Sequence, residues 1–402
     1  MLVGYIASRT PPPSTVSMAA SALRQSDVEG RRARALDGLR GLAAVSVVLL
    51  HYLQVFNATA FPEYAAFSAV FTRLSATPLS FPWAGSSAVP LFFVLSGFVL
   101  QRMLDSSAMS YRSYVARRVL RLWIPYMVVV ALASVGIEFV GSHLVAGQSD
   151  WLNGMLGTRI SQHLLFQHVL LIGSFDTQRI NPVVWSLVLE LRLSLLFPLI
   201  LWAVSRYRVP VVLLGSLAIA VVGGYLQHRL HASSVSLYQT LVVQLHFVIG
   251  ALLAAHEPHV QRFYARLPRP LRWGLTLGSV VLYTNTAHLP TTYSTVAGAT
   301  WLIVVALCSP LASRLLCSPP IQWLGRVSYS LYLSHLALLL FLINALYPRL
   351  GFLQVVLLAV PLALFCATLL CAWVEQPAIT ISRIVGRRLQ QGPPAAVPSG
   401  NL

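Results

Sequence analysis

The chain has 402 residues, of which 56% are hydrophobic and only 10% are charged, and its formal net charge is +17 at pH 7. This composition is not that of a soluble enzyme; it predicts an all-α, polytopic membrane protein whose main partner is the lipid bilayer. The arginines cluster at the ends of apolar segments, so membrane orientation explains the positive charge and no nucleic-acid partner is expected.

The two ends of the chain differ in composition from the rest. Residues 1–33 are rich in Pro, Ser and Ala and lead into a basic group, which predicts a disordered cytoplasmic tail. Residues 381–402 begin with Arg383, Arg387 and Arg388 and continue into GPPAAVPSG, which predicts a basic and then disordered cytoplasmic tail. Between them, residues 34–380 are predicted to form one transmembrane domain.

Apolar segments of about 17–25 residues, the length that crosses a bilayer, follow one another through this domain. They lie near residues 36–56, 86–103, 122–142, 183–204, 209–227, 237–255, 272–288, 294–311, 327–346 and 352–374. The apolar piece at 163–173 is too short to cross and is expected to be re-entrant or interfacial. With both termini cytoplasmic, about ten transmembrane helices place most arginines on the cytoplasmic side.

The first apolar segment contains two conspicuous ionisable residues, Arg40 and His51. Eleven residues of helix make about three turns, so both side chains share a face, roughly 16 Å apart along the axis. Guanidinium suits phosphate groups, and neutral imidazole suits proton transfer near neutral pH. We interpret the pair as a path for a long donor such as acyl-coenzyme A. A snorkelling arginine and a core histidine are the alternative.

The segment SYRSYVARRVLRLWIP, residues 110–125, predicts a helix with a basic face. Arg117 and Arg121 are four residues apart, and Arg118 and Arg121 are three apart, so the three are expected to share that face. They could hold phosphate groups at the mouth of the path, or they could anchor the helix at the cytoplasmic surface.

Glu190 and Arg192 interrupt the apolar segment at 183–198, and their spacing makes them face different directions. Glu190 could orient a histidine or bind a hydroxyl acceptor, or it could make a polar contact between helices. Further residues are either supporting members of the site or packing residues: Asp37, Trp185, Ser328, Tyr329, His335 and Glu375.

Metal and cofactor signals are weak. The histidine pairs His228/His231 and His256/His259 lack carboxylate or cysteine partners at a recognised spacing, so no metal site is expected. The phosphate-binding P-loop pattern and the dinucleotide glycine fingerprint are both absent, so no tightly bound cofactor is expected.

Several motifs, taken together and in order, resemble the integral-membrane acyltransferase family usually called acyltransferase type three. They are LDGLRGLAAVSVVLLH (36–51), LFFVLSGFVL (91–100), RRVLR (117–121), VVWSLVLELRLSLLFP (183–198), GRVSYSLYLSH (325–335) and WVEQP (373–377). One such piece is weak evidence, whereas the ordered set from residue 36 to 377 is specific.

The resemblance implies an enzyme of the bacterial inner membrane that moves an acyl group, commonly acetyl, from cytoplasmic acyl-CoA to a hydroxyl group. The acceptor would be a cell-surface or exported carbohydrate or glycolipid. The family's motifs map onto His51 and Glu190 as catalytic residues and onto Arg40, Arg118 and Arg121 as donor-binding residues.

The sequence departs from the family's pattern at two places. Pro90 stands where many members have Asp before the FFVLSG run, and Leu193 and Ser194 follow Glu190 where the pattern has Phe and Tyr. A rival class is a transporter in which Arg40, His51 and Glu190 line a permeation path or proton relay. A third is a non-catalytic partner of polysaccharide export.

Overall fold

The computed structural model describes residues 15–57, 62–107, 109–141, 150–156, 160–285, 291–347 and 349–391, and the regular elements in these ranges are all helical. This confirms the predicted all-α bundle. The α-helices are α1 (Thr15–Asn57), α2 (Ala65–Ser75), α3 (Gly85–Asp105), α4 (Tyr111–Val140), α5 (Asp150–Leu156), α6 (Gln162–Leu170), α7 (Val184–Arg206), α8 (Val209–Arg229), α9 (Leu237–Ala255), α10 (Glu257–Arg266), α11 (Arg269–Thr284), α12 (Thr291–Cys308), α13 (Pro310–Leu316), α14 (Pro319–Leu346), α15 (Phe352–Leu370) and α16 (Gln376–Gln391).

Within these ranges, eight helices are long and apolar enough to cross a membrane, and the pair α12–α13, bent by 91°, makes a ninth if it counts as one span. In the described residues, each of the ten predicted segments falls mainly on helices. The count differs from ten because α11 has only 16 residues and because the α12–α13 segment is broken. Ser309 caps α13 and Pro310 occupies its first turn, which explains the break.

Helices extend into both segments that the sequence predicted as tails. Helix α1 already begins at Thr15, and its Arg32 lies 3.5 Å from Glu257 of α10, so residues 15–33 are helical. At the other end α16 runs to Gln391, and the Ser113 hydroxyl of α4 donates to the Gly386 carbonyl at 2.7 Å. These contacts supply the tertiary packing that composition alone does not reveal. Residues 1–14 and 392–402 lie outside the described part.

Glycines set two close helix crossings at the centre of the bundle. Gly41 of α1 faces Gly325 of α14, and Gly97 of α3 faces the α9 backbone next to Gly250; a Cβ at any of these positions would collide with the opposite main chain. Small residues let helices in membranes approach at backbone distance. The α1–α14 crossing therefore brings the neighbours of its two glycines, Arg40 among them, to one wall of the bundle.

Arg192 holds the irregular segment after the short helix α6 in place through hydrogen bonds to its backbone. Its guanidinium donates to the carbonyls of Ile172 and Gly173 at 2.7 and 2.8 Å, and to Val235 at 2.7 Å and the Thr240 hydroxyl at 3.0 Å. The side chain is buried, and one cation satisfies backbone groups from two separate loops. Arg192 is thus structural, and it points away from Glu190, as its spacing predicted.

Candidate active site

A cavity of about 960 Å³ lies between α1, α3, α4, α7, α14 and the start of α16. Its volume is near the upper end for small-molecule and cofactor sites, which run from about 300 to 1,000 Å³. Apolar side chains form part of the wall. The charged residues that line it are Arg40, Arg102, Arg118, Arg121, Arg326, Glu29, Asp37, Glu190 and Glu375.

Three of the arginines in the wall are already paired with carboxylates. Arg40 lies 2.9 Å from Asp37 on its own helix. Arg102 lies 3.2 Å from Glu257. Arg118 donates to Glu190 at 2.6 Å and to the Ser194 hydroxyl at 2.9 Å. Each pair neutralises both of its charges and holds its two side chains in place, so these three arginines offer little positive charge to a ligand.

Arg121 and Arg326 differ from the paired arginines. Both side chains are exposed to the cavity, and neither makes a hydrogen bond or ion pair with any residue in the part of the chain that the structure describes. An unpaired guanidinium presents planar donors that match phosphate oxygens. The sequence predicted Arg121 as donor-binding and gave Arg326 no role in the site. Its place beside Gly325, at the α1–α14 crossing, is the signal that could have revealed it.

Arg117 does not join the other two basic residues of its segment. Its side chain packs over Gly386 of α16, and its Nε is buried without a hydrogen-bond partner among the described residues. Consecutive helical residues differ in direction by about 100°. Helix α16 occupies the direction of Arg117, whereas the cavity occupies that of Arg118 and Arg121. The predicted three-arginine face is therefore divided between two environments.

The two carboxylates predicted from the sequence are both engaged away from His51. Glu190 accepts from Arg118 and from the Ser96 hydroxyl, the latter at 3.0 Å. Glu375 lies in the π-helical turn between α15 and α16 and accepts from the Ser330 hydroxyl at 2.6 Å. Across the described ranges neither carboxylate hydrogen-bonds to a histidine. A role for Glu190 in orienting His51 directly gains no support from this geometry.

The other supporting residues fall into two groups. Ser328 and Tyr329 line the cavity, and they donate to the carbonyls of Gly325 and Leu122, both at 2.8 Å. Trp185 does not line it; it packs against two apolar clusters of the core. Among the described residues, no group of three His, Cys, Asp or Glu side chains has the arrangement of a metal site.

His51 and His335 form a hydrogen-bonded pair, with His51 Nδ1 2.9 Å from His335 Nε2. His335 is fully buried and His51 is half-buried. The pair lies next to the cavity rather than on its wall. The Tyr332 ring, which does line the cavity, has its centroid 6.2 Å from that of His335 and 5.7 Å from that of Phe92.

The structure differs from the predicted path in one respect. Arg40 lines the cavity, but His51 does not; its partner His335 contacts the ring of Tyr332, which does. The α-helical period places Arg40 and His51 on one face of α1. It carries no information on which side chains of other helices pack around each of them.

A family model described as an acyltransferase domain matches residues 34–375. The chain belongs to this acyltransferase family. The match begins just before Asp37 and ends at Glu375, so it includes every site residue predicted from the sequence.

A curated relative of this acyltransferase family member comes from Bacillus subtilis (strain 168) and is named "Putative peptidoglycan O-acetyltransferase YrhL". The two are 24% identical over 329 residues, which are 75% of this chain and 47% of the relative. The chain thus spans about half the length of the relative it matches. No solved structure matches the chain.

Proposed function

We propose that this protein is a multi-pass enzyme of the bacterial inner membrane that transfers an acyl group, commonly acetyl, from acyl-CoA to a hydroxyl group of a cell-surface or exported carbohydrate or glycolipid. One observation carries the proposal. A cavity with two unpaired arginines lies beside a hydrogen-bonded histidine pair, within a chain of the acyltransferase family.

The proposed donor matches the two ends of this arrangement. Coenzyme A carries phosphate groups at one end and the reactive thioester at the other, joined by a long thin arm. Arg121 and Arg326, which make no ion pair in the described part of the chain, supply guanidinium groups for the phosphates, while Arg40 and Arg118, each paired with a carboxylate, shape the wall. Acyl-CoA is then a substrate that enters and leaves, and no resident cofactor is required.

His51 is the proposed catalytic residue. Its imidazole takes the proton of the acceptor hydroxyl while the oxygen attacks the thioester carbonyl; the C–O bond forms, the C–S bond breaks, and the proton passes to the leaving thiolate. An acyl-imidazole intermediate on His51 gives the same products in two steps. In either course the thioester approaches past Phe92 and Tyr332, so these two rings control the last part of the path.

Carbohydrate is the proposed acceptor class, and the name of the Bacillus subtilis relative makes peptidoglycan the first acceptor to test. The test is mass spectrometry of cell-wall and surface glycans from a deletion strain complemented with wild-type protein, His51→Ala or His228→Ala. His228 is exposed near the end of α8 and serves as the matched histidine control. The acyl mass should disappear in the deletion strain and in His51→Ala only. Full acylation in His51→Ala would reject the assignment of His51.

A further inference from the structure

The hydrogen bonds of the histidine pair also determine which nitrogen of His51 carries a hydrogen. We propose that His335 is a positioning residue that holds His51 in the tautomer with Nδ1 protonated and Nε2 free. This inference rests on the proposed function, because it assigns the nitrogen of His51 that performs the chemistry. It adds a second histidine to the site, one that acts through His51 and not on the substrate.

The first step concerns His335 alone. Its Nδ1 lies 3.0 Å from the carbonyl oxygen of Leu331, one turn earlier on α14. A carbonyl oxygen can only accept, so Nδ1 of His335 carries a hydrogen and donates it. In a neutral imidazole the other nitrogen is then an acceptor, which leaves a lone pair on Nε2 of His335.

The second step passes this constraint to His51. Nε2 of His335 lies 2.9 Å from Nδ1 of His51, and since Nε2 accepts, Nδ1 of His51 must donate. The neutral ring of His51 therefore has its lone pair on Nε2. A doubly protonated His335 would reverse this order. It would be a fully buried cation without a carboxylate partner in the described part of the chain, which is unfavourable.

The third step is that the His335 ring is held in place. It lies among the rings of His51, Tyr52 and Tyr332, with centroids 5.2, 6.4 and 6.2 Å away. The Tyr52 hydroxyl also donates to the His335 backbone carbonyl at 3.3 Å. Turning the ring over would break the bonds to Leu331 and His51 together. Burial and these contacts thus favour one orientation of His335.

The consequence for acyl transfer follows from the tautomer. Nε2 of His51 accepts the hydroxyl proton, or attacks the thioester, while Nδ1–H stays bonded to His335. Once His51 is protonated, this bond becomes charge-assisted and strengthens. In Ser-His-Asp hydrolases a buried carboxylate has the corresponding role of fixing the imidazole tautomer. Here a neutral imidazole, itself fixed by a backbone carbonyl, takes that place.

Two isosteric variants separate the two bonds of His335. The amide of His335→Gln can reach the position of Nε2 and accept from His51, whereas the shorter amide of His335→Asn reaches only the position of Nδ1 and the Leu331 carbonyl. We expect His335→Asn to lower kcat about 10²-fold, within the range of a general base. KM for acetyl-CoA should not change, and His335→Gln should retain most of the activity. Equal loss of kcat in both variants would overturn the proposal.

A spectroscopic measurement tests the tautomer without relying on either variant. In full-length protein labelled with ¹⁵N-histidine, the His51 signals are assigned by their loss in His51→Ala. We expect a protonated Nδ1 and an unprotonated Nε2 for His51 in the wild-type protein. A protonated Nε2 would overturn the proposal even if acyl transfer is confirmed. A wild-type protein with this tautomer that transfers no acyl group would instead reject the proposed function.

Discussion

Arg118 and Glu190 form an ion pair with a distance of 2.6 Å that joins α4 to α7 at the edge of the cavity. Their side chains are only 12% and 22% exposed, and Ser194 accepts a further hydrogen bond from Arg118. An arginine of a motif that predicts phosphate binding is thus already neutralised. In the proposed function, positive charge for a donor must therefore come chiefly from other residues, and Arg121 and Arg326 are the proposed source.

The first prediction compares a single and a double variant of this pair. Arg118→Gln leaves the Glu190 carboxylate unpaired in the donor cavity, where it repels phosphate, so KM for acyl-CoA should rise about tenfold. Adding Glu190→Gln removes that charge and should bring KM back to within a few fold of wild type. Initial rates over a range of acetyl-CoA concentrations measure both values. If the double variant is as impaired as Arg118→Gln, Arg118 contacts the donor directly.

The second prediction concerns the two unpaired arginines. Arg121→Gln and Arg326→Gln should each raise KM for acetyl-CoA by about tenfold or more, since each removes a charge-assisted hydrogen bond. With acetyl-pantetheine, which lacks the nucleotide phosphates, both variants should match the wild-type protein.

The matched control for these variants is Arg117→Gln. Its side chain lies against Gly386 and outside the cavity, so KM for acetyl-CoA should stay unchanged. If Arg121→Gln raised KM equally for acetyl-CoA and acetyl-pantetheine, the arginine would not bind the nucleotide phosphates.

The sequence predicted the parts of the site that local period and motif determine. Arg40, Arg118 and Arg121 all line the cavity, and the described residues of the ten apolar segments are mainly helical. It could not predict contacts that depend on which helices become neighbours. Arg118 meets Glu190 from 72 positions further along, and His51 meets His335 from 284 positions further along. The helical period shows which side chains lie on the same face of one helix, but the packing of the helices determines which residues that face contacts.

The third prediction tests whether the acyl group reaches the histidine pair past the rings of Phe92 and Tyr332. Phe92→Ala opens space beside Tyr332 and should raise the rate with butyryl-CoA relative to acetyl-CoA. Tyr332→Phe keeps the ring and loses only the hydroxyl bonds to Ser186 and the Val183 carbonyl, at 2.7 and 3.2 Å, so this ratio should stay near wild type. An unchanged ratio in Phe92→Ala would mean that the acyl group reaches His51 by another route.

The fourth prediction concerns Arg192, which fastens two loops. Arg192→Met leaves carbonyls of both loops without their donor and should destabilise the folded protein by roughly 3 kcal/mol, because unpaired buried acceptors are costly. Arg192→Lys keeps the positive charge but loses the planar set of guanidinium donors, so its loss of stability should be intermediate. Thermal unfolding in detergent measures both variants. A wild-type melting temperature for Arg192→Met would contradict the structural role.

The fifth prediction is a pH dependence at His168, in the short helix α6 outside the candidate spans. Burial lowers the pKa of His168 from 6.5 to about 4, although Asp176 opposes the shift. Between pH 6.5 and 4, His168 binds a proton in the unfolded chain but stays neutral in the folded protein. The free energy of unfolding that the neutral side chain contributes is therefore fully present above pH 6.5 and falls as the pH drops from 6.5 to 4.

The control for this prediction is His168→Asn, which keeps a polar atom near the Tyr126 hydroxyl, 2.6 Å from His168 Nδ1 in the wild-type protein. Melting temperatures of the two proteins should converge as the pH falls from 6.5 towards 4. A constant difference across this interval would show that His168 does not contribute to the acid sensitivity.

The central claim is that His51 transfers an acyl group delivered as acyl-CoA. Its most direct test is the transfer of radiolabelled acetyl from acetyl-CoA to peptidoglycan fragments by wild-type and His51→Ala proteins in liposomes. We expect labelled saccharide from the wild-type protein and a rate about 10²–10⁴-fold lower from His51→Ala, with acetyl-CoA binding retained. Equal labelling by the two proteins would contradict the claim.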